Sequence, residues 1–206
     1  MSVKKTLGTG GAAVIAATVL FLPNWEGRDL VAKPDMIGTG HPITYCHGQT
    51  DEFGKVKAGT RFTPEQCSKL LGESLPKYLV PLDHCIKVPL PIKAVSSLLD
   101  ASYNAGAGAV CKSPMLARMN EGNIRAGCEA FRGWYIRSDG QVRKGLVARR
   151  SGIGDGRKSE RDLCLEGLTE PKSAWYTGLD TVPVPVKVAA VTPPKAPVCP
   201  WWKRCK

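Results

Sequence analysis

Aromatic residues are scarce in this 206-residue chain: four Phe, five Tyr and five Trp. No RNA-binding aromatic pattern, zinc-finger spacing or strong helix-turn-helix motif accompanies its basic residues. Acidic residues are also few, 18 Asp and Glu against 29 Lys and Arg, which leaves a formal net charge of +11. A surface that basic attracts polyanions without choosing among nucleic acid, anionic lipid and acidic wall polymer. None of the eight cysteines forms a CxxC pair, which argues against a zinc knuckle or a thioredoxin-like site. His41, His47 and His84, even beside Cys46 and Cys85, match no common structural zinc spacing. The GTGG of residues 8–11 follows no strand and is not a nucleotide loop. No internal repeat is visible, which excludes a solenoid. No apolar run reaches the roughly 20 residues of a comfortable membrane span.

What is present points outward from the cytoplasm. Lys4 and Lys5 precede an uncharged stretch of 16 residues from Leu7 to Leu22. A positive flank followed by an apolar run is an export signal. The run is rich in Gly, Ala and Thr, so its hold on lipid is weak. No small-x-small cleavage site follows it before Pro23. It reads as a cleaved signal, a permanent anchor or a retained signal that can leave the bilayer, with a buried helix of a soluble protein as the plain alternative. Cys46, Cys67, Cys85, Cys111, Cys128, Cys164, Cys199 and Cys205 are even in number and widely spaced. That favours structural disulfides and an oxidising compartment over buried free thiols. Cys199 with Cys205 is the expected local pair, the other six pairing inside the domain.

Periodicity and punctuation give a coarse map. Residues 24–34 prolong a helix, with Glu26 in its opening turns. Gly38, Gly40, Pro42, Gly48, Gly54 and Gly59 break residues 35–61 into a small, irregular β region. Thr63-Pro64-Glu65-Gln66 is a capped helix start, and Pro76 bends the chain beyond it. Pro91 opens a helix through Asn104, Ser113-Pro114 another, and Asn123 or the residue before it a third. GLVARR and ERDLCL are helical on either side of a loop, SGIGDGRKS. With 43% hydrophobic residues the chain can bury a core of one domain. The proposed divisions are residues 1–23 as an export or weak membrane segment, 24–168 as a catalytic domain, and 169–206 as a Pro/Val-rich basic tail ending in CPWWKRC.

Three residues near the first apolar run suggest chemistry. Glu26 follows Trp25, and an apolar setting disfavours an ionised carboxyl. A carboxylic acid can give its proton to the leaving oxygen of a glycosidic bond, while a second carboxylate, here Asp35, steadies positive charge or positions water. The hydroxyl of Thr44 can hold that water. Taken alone, Asp35 after Pro34 also reads as a turn residue, and Thr44 between Ile43 and Tyr45 as a strand residue.

The passages WEGRDLVAKPD, PITYCHGQT, GTRFTPEQCSKLL, PLPIKAVSSLLDASYNAGAGAVCKSPML, MNEGNIRAGCEAFRGWY, GLVARR and ERDLCLEGL run in that order through residues 24–168. Together they resemble the phage endolysins of the T4-type lysozyme family, glycoside hydrolase family 24, and within it the signal-anchor-release branch. The resemblance implies an α+β, lysozyme-like fold: a small β-containing lobe, a larger mainly helical lobe and an active-site cleft between them. It implies a muramidase that cuts the β-1,4 bond between N-acetylmuramic acid and N-acetylglucosamine of peptidoglycan with inversion, causing host lysis. Glu26 would be the proton donor, Asp35 and Thr44 its catalytic partners. Thr44 lies nine residues after Asp35, further than is usual in the family. Thr39 is the runner-up, without the C-x-G-x-T that follows Thr44. Arg149 would pair with Glu26 and orient it. Tyr103 and Asn104, in YNAG, would line the substrate groove, although Gly106 and Gly108 equally suit a capped helix end. The resemblance implies no cofactor and no metal. It also implies a monomer that contacts peptidoglycan and, through residues 7–22, the bacterial inner membrane, with no nucleic acid. Its location would be the host inner membrane, then the periplasm after release. A non-catalytic wall- or polyanion-binding module, gripping through WWKR, is the rival class.

Overall fold

A computed structural model describes residues 3–36, 42–50, 53–138, 140–154 and 156–183. Strand β1 (Val3–Thr6) leads into helix α1 (Gly8–Phe21) and the short α2 (Pro23–Glu26). Gly27, at φ 71°, takes a positive-φ conformation open to glycine that stops the helix directly after Glu26. The chain then forms β2 (Asp29–Pro34), antiparallel to β3 (Ile43–Cys46), with Lys33 opposite Thr44. The helix expected across residues 24–34 therefore ends at residue 26. Leu30 and Ala32 instead pair with a second neighbour: Phe62 N–H donates to Leu30 O at 2.8 Å and Ala32 N–H to Thr60 O at 2.9 Å. Ala32, Tyr45, Cys46 and Cys67 form the small core of this β lobe. The disulfide Cys46–Cys67 ties it to the next helix.

That helix, α3 (Pro64–Ser74), starts on the capping box read from the sequence, Thr63 with Gln66. Pro76 opens α4 (Pro76–Asp83) directly after Leu75, which itself keeps right-handed helical angles. Helix α5 (Ile92–Ala105) runs through the middle of the large lobe and buries every residue from Ala94 to Ser102. Its first N–H groups have no cap of their own. Glu170 supplies one from far along the chain, accepting from Ile92 N at 2.7 Å and Lys93 N at 3.2 Å. Around α5 lie α6 (Ala107–Cys111), α7 (Pro114–Asn120, capped by Ser113) and α8 (Ile124–Glu129, capped by Asn123). A two-residue hairpin, β4 (Arg137–Ser138) with β5 (Gln141–Val142), precedes α9 (Lys144–Ser151) and α10 (Glu160–Gly167). Cys85–Cys111 and Cys128–Cys164 staple this lobe, so the six cysteines expected to pair inside the domain do so.

Described parts of both terminal segments pack into the large lobe. Val14 and Leu22 from the apolar run, and Tyr176 and Leu179 from the region read as tail, belong to the main hydrophobic core. Tyr176 exchanges backbone hydrogen bonds with Leu90 at 2.7 and 3.0 Å, and its hydroxyl donates to Asp83 Oδ1 at 2.6 Å. Strand β6 (Asp180–Pro183) then pairs antiparallel with β1. Packing thus continues past the boundary that composition drew at residue 169, because Asp83 and Leu90 offer partners no local pattern reveals. The expected Cys199–Cys205 pair, the WWKR segment and the runner-up Thr39 lie outside the described residues.

Candidate active site

The site is built on two adjacent arginines that the fold has buried. Arg149 and Arg150 close α9, and Gly152 in left-handed conformation ends it. A guanidinium out of water is costly unless its N–H groups find anions. Arg149 finds three, each on a different helix. Its Nε donates to Asp100 Oδ2 of α5 at 3.1 Å and to Glu160 Oε1 of α10 at 3.2 Å. Its Nη1 donates to Glu26 Oε1 of α2 at 2.5 Å. Arg150 pairs with the same Glu160 oxygen, donates from Nη2 to Asn104 Oδ1 at 2.6 Å, and lies over the Trp134 ring.

The charges nearly balance. Burial pushes the Asp100 carboxyl well above the ordinary carboxylate range; Arg149 pulls the other way and Glu160 adds to the rise. Burial works against the Arg149 cation, but Asp100, Glu160 and Glu26 outweigh it and raise its pKa, so it stays charged. Glu26 differs from its neighbours in exposure. Asp100 and Glu160 are fully buried, whereas 24% of the Glu26 side chain remains open. One carboxyl is thus presented at the surface on a rigid, buried cation.

The other candidates sit in or beside the β hairpin. Asp35 follows β2, partly buried, with its N–H donating to Pro42 O at 2.8 Å. Thr44 lies in β3 across from Lys33, and its hydroxyl donates to Lys33 O at 3.4 Å. The hairpin thus carries both, Thr44 opposite Lys33 within it and Asp35 just past β2, two register positions further on, and only Gly27 and Arg28 separate Glu26 from it. Tyr103, in the last turn of α5, donates its hydroxyl to His47 O at 2.7 Å and packs against Tyr78. Burial raises the Tyr103 phenol, so it is a lasting donor. Asn104 is exposed, with its oxygen fixed by Arg150.

Sequence reasoning did not single out Asp100, Glu160 or the role of His47. Asp100 had one signal, a lone carboxylate inside the apolar VSSLLDAS. Glu160 looked like any acid in a first helical turn. His47 is buried, and its Nδ1 lies 2.6 Å from Gly27 O, which fixes the proton on Nδ1 because a carbonyl only accepts. Burial pushes its pKa below 6.5, against the pull of that carbonyl.

An α+β fold of this order, with a carboxyl at the end of an early helix held by a buried arginine and followed by a β hairpin, defines a lysozyme-like glycosidase. The phage lysozyme model matches residues 23–152. The SAR-endolysin of Enterobacteria phage P21 is 31% identical over 162 residues, 77% of this chain and 90% of that protein. The SAR-endolysin of Pseudomonas phage phiKMV is 34% identical over 168 residues, 80% of this chain and 96% of that protein. Among solved structures, the endolysin from Escherichia coli O157:H7 phage FAHEc1 superposes with a TM-score of 0.60 at 26% identity, covering 79% of this chain and 97% of that one. The chain belongs to the phage lysozyme family, and it is a muramidase of the endolysin type that acts on peptidoglycan.

Proposed function

We propose that Glu26 is the general acid of this muramidase, cleaving the β-1,4 bond between N-acetylmuramic acid and N-acetylglucosamine. The observation that carries the reading is the pairing of a partly exposed Glu26 with a buried, multiply held Arg149. Arg149 takes Oε1, which leaves Oε2 to carry a proton outward to the leaving sugar oxygen. Protonation is what this bond needs, since an alkoxide is a poor leaving group. Asp35 stabilises the positive charge that develops on the sugar ring and, with the Thr44 hydroxyl, places the water that attacks from the opposite face. Their places on one hairpin, Thr44 in β3 and Asp35 just past β2, support that partnership. Tyr103 and Asn104 line the groove. In this assignment Asn104 offers its amide N–H groups to sugar oxygens, since its carbonyl is engaged by Arg150. The test is Glu26→Gln on chloroform-treated Gram-negative cells, with turbidity and new reducing ends followed together. Turnover should fall at least about 100-fold, the lower range for a general acid, while wall binding persists. Undiminished cleavage overturns the assignment.

The N-terminal helix carries the control. By length and composition, residues Gly8–Glu26 suffice to cross a membrane. While that segment lies in lipid, Glu26 stays at the membrane face and cannot meet Arg149. The tethered enzyme is therefore inactive, and release followed by docking of α1 on α5 creates the site. Collapsing the membrane potential should move full-length protein from the membrane to the periplasmic fraction; complete retention rules release out.

A further inference from the structure

Arg149 holds one oxygen of Glu26, but a carboxylate is placed no better than the backbone that bears it. That backbone is the last turn of a helix. Helix α2 continues α1 through Leu22 for four residues, its N–H groups at Trp25 and Glu26 both reach Leu22 O, and Gly27, at positive φ, ends it. Further restraint comes from outside. In the loop between α9 and α10, Arg157 lays its guanidinium 4.0 Å from the centre of the Trp25 ring and donates from Nη1 to Asn24 O at 2.6 Å. The adjacent Lys158 O accepts from Trp25 Nε1 at 3.2 Å. On the far side, His47 Nδ1 donates to Gly27 O at 2.6 Å, and His47 is itself held by the Tyr103 hydroxyl. Residues 24, 25 and 27 are thus each fastened, from the helical lobe before Glu26 and from the β lobe after it.

We infer that Arg157 and His47 are positioning residues that clamp the segment 24–27 from opposite lobes and so seat the Glu26 carboxyl on Arg149. Neither touches the carboxyl; each acts through the backbone or ring beside it. The inference rests on Glu26 as the general acid. It gives the loop of residues 152–159 a purpose beyond connecting two helices, because that loop carries one jaw of the clamp.

Four variants test it on soluble peptidoglycan fragments, with rates taken per folded molecule as measured by circular dichroism. Arg157→Met keeps the side-chain length and loses the cation and donors; Arg157→Lys keeps a cation for the ring and a donor for Asn24. His47→Phe removes the donor to Gly27; His47→Gln restores one. The two disruptive variants should each lower kcat at least about 10-fold with KM held within about twofold, as expected for a misplaced reacting group. The two conservative variants should recover most of that loss. Arg157 is exposed, so its variants report even where a change at buried His47 impairs folding. A wild-type kcat per folded molecule for Arg157→Met, beside lost turnover in Glu26→Gln, refutes the clamp alone. A loss confined to KM refutes it too. Undiminished turnover in Glu26→Gln instead refutes the assignment on which the clamp rests.

Discussion

Helices α1 and α5 are both 14 residues long and pack against one another, yet their sequences answer to different surroundings. Helix α5 is written for a protein interior. It buries nine consecutive residues, and its buried polar side chains each find a partner: Ser97 bonds back to Lys93 O, Ser102 to Leu98 O, Ser96 across to Val14 O, and Asp100 through Oδ2 to Arg149, while Asp100 Oδ1 is left without one among the described residues. Helix α1 has no charged residue on any side, but it buries only Gly11, Val14, Thr18 and Phe21, one stripe at helical spacing. Leu20 stands 82% exposed. A helix apolar all round and buried on one stripe suits a segment that must also satisfy lipid. Thr18 fits both states, since its hydroxyl donates to Val14 O within the same helix at 2.8 Å. In the proposed release cycle the glycines loosen its hold on lipid, and in the folded enzyme they let the helix approach its neighbours closely. A Cβ on Gly11 would meet Leu179 at 2.8 Å.

The contrast is broken most severely from the α5 side. Leu98 is fully buried at the centre of the large lobe. Leu98→Ala should cost the released enzyme about 2–5 kcal/mol, the usual penalty for a cavity in a close-packed core. Urea unfolding of soluble protein measures it, and membrane partition should not change, because in the proposed release cycle α5 stays outside lipid. A loss well under about 1 kcal/mol would show that the lobe collapses around the gap, and that α5 is no more committed to its surroundings than α1.

How much of the molecule is legible in the sequence depends on the range of the interaction. Helix starts at Thr63, Ser113 and Asn123 were legible because a cap and its target lie three residues apart. The break at residue 76 was legible because proline, lacking an N–H, suits the first position of a helix. The strand at residues 29–34 was not, because its partners are residues 43–46 and 60–62, and an apolar LVA next to a helix reads equally well as more helix. Nor was the docking of Tyr176 and Leu179, which depends on Asp83, 93 residues away from Tyr176. Six cysteines could be expected to pair inside the domain, but not which with which. At the site, Glu26, Asp35 and Arg149 stood out through ordered spacing and family resemblance. Asp100, Glu160, His47 and Arg157 did not. Each matters only through a contact between distant segments, and each alone looks like a helix carboxylate, a turn histidine or a loop cation.

A smaller effect from the α1 side sharpens the comparison. Gly11→Leu adds apolar surface, which favours lipid, but in the docked state the new side chain runs into Leu179. Overpacking of this kind costs about 1–3 kcal/mol, or a few degrees of melting temperature for a body of this size. The two readouts should therefore move in opposite directions: a larger membrane fraction in cells, and a lower melting temperature for the released, soluble enzyme. An ordinary soluble helix would show the second without the first, and a permanent anchor the first without the second. Only a segment that is used in both environments, with its small residues turned toward Leu179 once docked, is expected to show both. An unchanged melting temperature would mean that the close approach at Gly11 does not hold the docked helix, and the account of α1 as a helix fitted to two surroundings would lose its structural half.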